Sequence, residues 1–266
     1  MKVIDIHVHY HAGKDGEPNI GNEKYLKAMD KFDVEAALLL SVSYEDNESI
    51  ARVIKMHPDR FFGAGFIDLR EPGFKNIERV KKYVEYGFKF IKMFPNYGFD
   101  PNDEKHEQFW QAVEDNGLGC MAHCGWLNPR KDKTAVSCLT ATPYHFEIPA
   151  RRHPGVNFIF AHFGGAAAYL ETVVLISRLK NTFGDVTPGW GKWVFEQRMP
   201  GLTGLDFTHV MYGTDNKNEL SGQYSYGEDI KWWTETLQSR GCNEKEISDF
   251  FYNNAARLLG IIKPLE

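Results

Sequence analysis

Apolar and polar residues alternate from the start of the chain: Ile4, Ile6 and Val8 fall on one face of a predicted strand, and Asp5, His7 and His9 on the other. Side chains at i and i+2 of a strand point the same way, so the two histidines share a side with the carboxylate. Residues 11–22, rich in Gly, Asn and charge, read as a loop of lid-forming length, and residues 23–32 as a helix. Residues 36–42 (AALLLSV) are a short unbroken apolar run, the pattern of a strand buried on both faces. The rhythm then repeats, with strands predicted over 61–67, 88–94, 118–124, 156–163, 182–187 and 208–214. Helices are predicted over 47–56, 76–85, 104–116, 144–152, 169–179, 227–239 and 244–259. The last opens with Asn243 three residues ahead of Glu246, a capping box. Eight strands interleaved with helices predict a (β/α)8 TIM barrel. No linker, charge block or repeat divides the chain, so residues 1–266 are expected to form a single barrel domain.

Composition narrows the function classes. At 42% hydrophobic and 25% charged the chain is ordinary for a globular protein, and a net charge of −5 provides no polycation for nucleic acid. No long apolar window and no leader pattern is present, so neither a membrane partner nor export is expected and the reading is cytoplasmic. Cys120, Cys124, Cys138 and Cys242 lack a C-x-x-C spacing and predict neither a disulfide framework nor a zinc finger.

The catalytic face of a barrel lies at the C-terminal ends of its strands, and His7, His9, Lys92, His123, His162 and Asp215 fall at such ends. One histidine there is easily a satisfied core residue, but each further one needs its own buried partner. Several imidazoles plus a carboxylate, with room for water, describe a catalytic divalent metal site rather than a closed structural one. His162 and Asp215 are the expected proton carriers. Asp5, one step below the histidines, is expected to support them from beneath.

Six ordered motifs resemble the amidohydrolase superfamily of the amidohydrolase-2 type, which includes hydrolases, lactonases and relatives of aminocarboxymuconate-semialdehyde decarboxylase. They are I-D-I-H-V-H from Ile4, G-F-K-F-I-K from Gly87, M-A-H-C-G from Met121, F-A-H-F-G-G from Phe160, Y-G-T-D from Tyr212 and N-A-A-R-L-L-G from Asn254. The resemblance implies a metal-dependent barrel hydrolase in which His7, His9, His123 and Asp215 bind the metal. His162 would bind a second metal or act as acid/base. It further implies a divalent ion, zinc most often, with manganese and a second ion left open. In two-metal relatives the lysine at the end of strand four is carbamylated and bridges the ions, and Lys92 stands at about that place. Its alternative is a cation paired with an acid or with a substrate carboxylate. Phe94 stands where similar sequences often carry a histidine, so that histidine's role toward substrate does not carry over.

Loops after the strands place Tyr10, Trp126, Arg130 and Asn216, with His11, Lys14, Trp190 and Lys217, as candidate substrate contacts. The cations among them, together with Lys92, point to a small carboxylated substrate. His57, His106, His145, His153 and His209 lie off the strand ends and read as ordinary. The expected activity is hydrolysis of an amide, ester or lactone by a metal-activated water. The alternative is non-oxidative decarboxylation of a small carboxylic acid. No macromolecular partner is expected beyond other copies of the chain in a homo-oligomer.

Overall fold

The computed structural model describes residues 1–10, 23–127, 136–187, 190–198, 202, 205–215 and 226–263. Its eight strands succeed one another as β1 to β8 in one sheet, with helices between them, the (β/α)8 barrel fold expected from the sequence. The chain forms two compact units, residues 1–63 with 207–266, and residues 64–206.

The first unit contains β1 (Val3–His9), α1 (Glu23–Lys31), β2 (Val34–Leu40), α2 (Asp46–Met56) and the start of β3 (Phe61–Ile67). It ends with β8 (Val210–Met211), α8 (Tyr226–Ser239), α9 (Glu244–Ser248) and α10 (Asn254–Leu259). Every residue of β1 is buried, its polar ones included. On one side β1 pairs in parallel with β2; on the other, Ile6 N–H donates to Tyr212 at 3.1 Å and Asp215 N–H donates to His7 at 2.9 Å. The eighth strand is shorter than the 208–214 run predicted. Residues 207–209 are a helical turn instead, and Asn254 Nδ2 holds the carbonyls of Phe207 and Val210, at 2.6 and 2.8 Å.

The predicted helix over 244–259 begins with the capping box on Asn243 and Glu246. It is interrupted by a wide turn over Asp249–Asn253. There the Phe250 carbonyl accepts from Tyr212 N–H at 3.1 Å, a bond to the sheet edge that an unbroken helix would have kept for itself. Trp233 of α8 is fully buried against Phe250, their ring centroids 5.2 Å apart, and so serves packing.

The second unit carries the rest of β3, then α3 (Gly73–Glu85), β4 (Phe90–Met93), α4 (Glu107–Asp115), β5 (Gly119–Ala122) and α5 (Glu147–Arg152). After them come β6 (Phe158–Phe160), α6 (Gly165–Arg178), β7 (Thr182–Asp185) and α7 (Trp190–Glu196), the last a helix the apolar pattern had not indicated. Strands β3 to β7 pair in parallel, each with the next. The predicted strand over 156–163 stops at Phe160 because the chain turns there through four left-handed residues, His162, Phe163, Gly164 and Gly165. Gly165 is required by proximity as well as by its φ of +73°, since a Cβ there would stand 2.8 Å from the Gly125 Cα.

Candidate metal centre

In the first unit, β1 delivers His7 and His9 side by side and the segment after β8 delivers Asp215. His7 Nε2 and His9 Nε2 lie 3.2 Å apart, and the same Asp215 oxygen, Oδ1, lies 3.3 Å from the first and 3.0 Å from the second. A tetrahedral ion with metal–nitrogen bonds of about 2.05 Å has donor–donor edges of about 3.3 Å. The triangle of two imidazole nitrogens and one carboxylate oxygen therefore has the size and the donor chemistry of one face of such a site. Neutral imidazole and carboxylate also suit zinc and similar divalent ions.

Asp5 holds this triangle from below. It is fully buried, and its Oδ1 accepts from His7 N–H at 3.2 Å and Thr214 N–H at 3.0 Å. Its Oδ2 accepts from the Thr214 hydroxyl at 2.6 Å and the Tyr226 hydroxyl at 3.0 Å. One carboxylate thus ties β1 to the residue preceding Asp215. Burial pushes the Asp5 carboxyl up to about 7 despite these four donors, which act in the opposite direction. Tyr226 also meets Tyr25, hydroxyl to hydroxyl at 3.2 Å, and burial drives both phenols upward, with Asp5 adding to the effect.

Asp215 and, in the second unit, His162 share an unusual feature. Both have left-handed backbones, with φ of +54° and +56°, a conformation that is uncommon outside glycine and concentrates at functional positions. Each is pinned by a backbone bond: Asp215 N–H to His7 as above, and His162 N–H to Asp185 Oδ1 at 3.0 Å. Asp185 is fully buried and also accepts from Thr187 N–H at 3.2 Å. The Thr187 hydroxyl meets His162 Nδ1 at 2.5 Å, which holds the far side of that ring.

Also in the second unit, β4, β5 and β6 bring Lys92, His123 and His162 to neighbouring strand ends. The rings of His123 and His162 stand edge to face, 4.9 Å between centroids. His123 Nε2 lies 3.1 Å from the Trp126 carbonyl oxygen. A carbonyl can only accept, so the ring proton sits on Nε2 and Nδ1 keeps the lone pair. Lys92 is fully buried, with Nζ 5.1 Å from the centre of the Phe94 ring.

The profile of the amidohydrolase family matches residues 4–261. The chain belongs to the amidohydrolase family. No curated protein matches this amidohydrolase. Among solved structures it resembles an uncharacterized TIM-barrel protein from Bordetella bronchiseptica, at 15% identity, TM-score 0.72, over 98% of this chain and 99% of that one. A probable 2-pyrone-4,6-dicarboxylic acid hydrolase from Acinetobacter baumannii aligns at 15% identity and TM-score 0.70, over 98% and 100% of the two chains. A 5-carboxyvanillate decarboxylase from Novosphingobium aromaticivorans, complexed with manganese, aligns at 16% identity and TM-score 0.63, over 90% and 80%.

The remaining expected contacts of this amidohydrolase divide. Tyr10 is wholly buried rather than on a solvent-facing rim, whereas Trp126 is exposed and offers its carbonyl to His123. Arg130, Asn216, His11, Lys14, Lys217 and the Trp190 side chain lie outside the described residues. His145 and His153 have structural partners, Asp100 at 2.8 Å and Glu114 at 3.0 Å. Sequence reasoning passed over Asp185, Thr187, Thr214 and Tyr226. Asp185 was open to discovery, since it is a carboxylate within the predicted strand 182–187, at the end of β7. Tyr226 was not, because nothing in a helix-opening tyrosine indicates that it bonds a carboxylate 221 residues away. No helix among the described residues is long and apolar enough to cross a membrane.

Proposed function

We propose that this amidohydrolase is a metal-dependent hydrolase that cleaves an amide, ester or lactone bond in a small carboxylated molecule. The observation that carries the reading is the donor triangle of His7 and His9, from β1, and Asp215, from the segment after β8; His123 is proposed as a further ligand. Zinc is the proposed ion, with manganese as the other candidate, bound as one ion or two. A bound divalent ion lowers the pKa of water and polarises a carbonyl, which is the chemistry that hydrolysis needs.

This chain's own groups then divide the work. The Asp215 carboxylate accepts the proton of the attacking water. His162, its ring held by Thr187, keeps or returns a proton at the leaving atom. Lys92 offers fixed positive charge to a substrate carboxylate or, if carbamylated, holds a second ion. Tyr10, Trp126, Arg130 and Asn216 are proposed to shape the substrate pocket.

The second reading is non-oxidative decarboxylation of a small carboxylic acid, favoured by the resemblance to the manganese-containing decarboxylase. There His162 and Asp215 would manage the proton that replaces carbon dioxide. Metal analysis of freshly purified protein, paired with assays on lactones and on aromatic and unsaturated carboxylic acids, tests both. Near one equivalent of zinc or manganese with lactone cleavage supports the hydrolase; carbon dioxide release without cleavage supports the decarboxylase. Less than about one-tenth equivalent of metal, with no activity restored by either ion, sinks both.

A further inference from the structure

The residue that departs from the family pattern at the end of β4, Phe94, sits among a cluster of flat groups. Its ring is stacked on His123, centroids 5.5 Å apart and planes 27° from parallel. It also stacks on Tyr97, at 5.7 Å and 26°. The Arg70 guanidinium lies 5.1 Å from the Tyr97 centroid and is itself forked onto the two Asp68 oxygens. Phe66 braces the cluster, 6.1 Å from Phe94 and 6.4 Å from Tyr97. Phe94, Tyr97 and Phe66 are all buried, so the stack is packed rather than loosely laid on the surface.

We propose that Phe94 is a positioning residue for the metal centre, acting through His123. A ring stacked face to face on a packed neighbour cannot tilt out of its plane without losing the contact. The hydrogen bond from Nε2 to the Trp126 carbonyl blocks the remaining freedom, rotation within that plane. Two constraints of different kind therefore leave the His123 imidazole one orientation, with Nδ1 as its donor atom. Lys92 Nζ, 5.1 Å from the centre of the Phe94 ring, lies within cation–π range of the same side chain. A histidine at this position would repel the lysine whenever protonated and would compete for the same hydrogen-bond acceptors.

The inference rests on the metal reading above, and its test separates the two. Protein stripped with a chelator is titrated with zinc against a chromophoric competitor, for the wild type, Phe94→Leu, Phe94→Met, Phe94→Tyr and His123→Ala. Groups that orient a ligand from behind are worth about tenfold or more in metal affinity. Phe94→Leu is expected to weaken zinc binding about tenfold, with Phe94→Tyr, which keeps the ring, within about threefold of wild type. Phe94→Met, flexible and without a flat face, stands in should the leucine variant not fold. If both Leu and Met variants bind zinc as wild type does while His123→Ala is weakened, the inference is wrong and the metal reading stands. If His123→Ala itself binds as wild type, His123 is no ligand and both fall.

Discussion

The end of β1 and the ends of β4 and β5 hold their histidines by opposite means. At β1, one buried carboxylate, Asp5, gathers four donors and so sets His7 and the residue before Asp215 by directional bonds. At β4 and β5 the work falls to packing: Phe94, itself stacked on Tyr97, lies against the flat face of the His123 ring. Hydrogen bonds fix backbone position to a fraction of an ångström but need every partner present. Stacking tolerates exchange of one ring for another, because it asks for shape and not for a particular atom. The first region should therefore fail abruptly on substitution and the second gradually.

Asp215→Asn should have the largest effect. It removes the group proposed both to ligate and to accept the proton, while Asp215 N–H keeps its bond to His7. Turnover should fall by about 10³-fold or more in steady-state assays, with the circular dichroism unchanged. Retained activity would remove Asp215 from the mechanism and leave the β1 region without its functional role.

Asp5→Ala comes next. It leaves several buried donors without their acceptor, each costing about 1–3 kcal/mol, so urea denaturation should show a loss of about 3 kcal/mol or more. A loss below 1 kcal/mol would mean that the polar region is as forgiving as the stacked one. Tyr226→Phe removes one donor to Asp5 and the contact with Tyr25, and should cost about 1 kcal/mol in the same experiment.

The smallest effect belongs to the opposite end of β2. Burial would push the Glu35 carboxyl up, but its bonds to Lys2 and Tyr252 outweigh that and hold it below its usual value. A carboxyl lowered in the folded state contributes stability above its unfolded pKa, and that contribution is lost as pH falls through the folded value. Glu35→Gln should therefore lose less stability than wild type between about pH 5 and pH 3, where carboxylates titrate. Identical pH profiles would show that the pair is solvated and contributes nothing.

Much of this was legible in the chain. The strands appeared because buried parallel strands are written as short apolar runs, and six of the polar residues at their ends were identifiable by the same periodicity. The boundaries failed where the backbone turns for reasons outside the local pattern. Residues 161–163 are apolar enough to extend β6, but the buried Asp185, more than twenty positions on, captures the His162 N–H and bends them away. Residues 208 and 209 read as strand, but Asn254 takes the neighbouring carbonyls.

The sequence by itself determined which residue types stand at the strand ends, the alternation that makes a (β/α)8 fold, and the family, because these depend on local spacing and on order along the chain. Only the tertiary structure decided that one Asp215 oxygen faces both His7 and His9, that Asp5 is the shared acceptor beneath them, and that Phe94 lies flat against His123. Those facts depend on distances between residues far apart in the chain. Periodicity assigns a side chain to a face, but which atoms it meets there is set by how the other strands and helices fill the space.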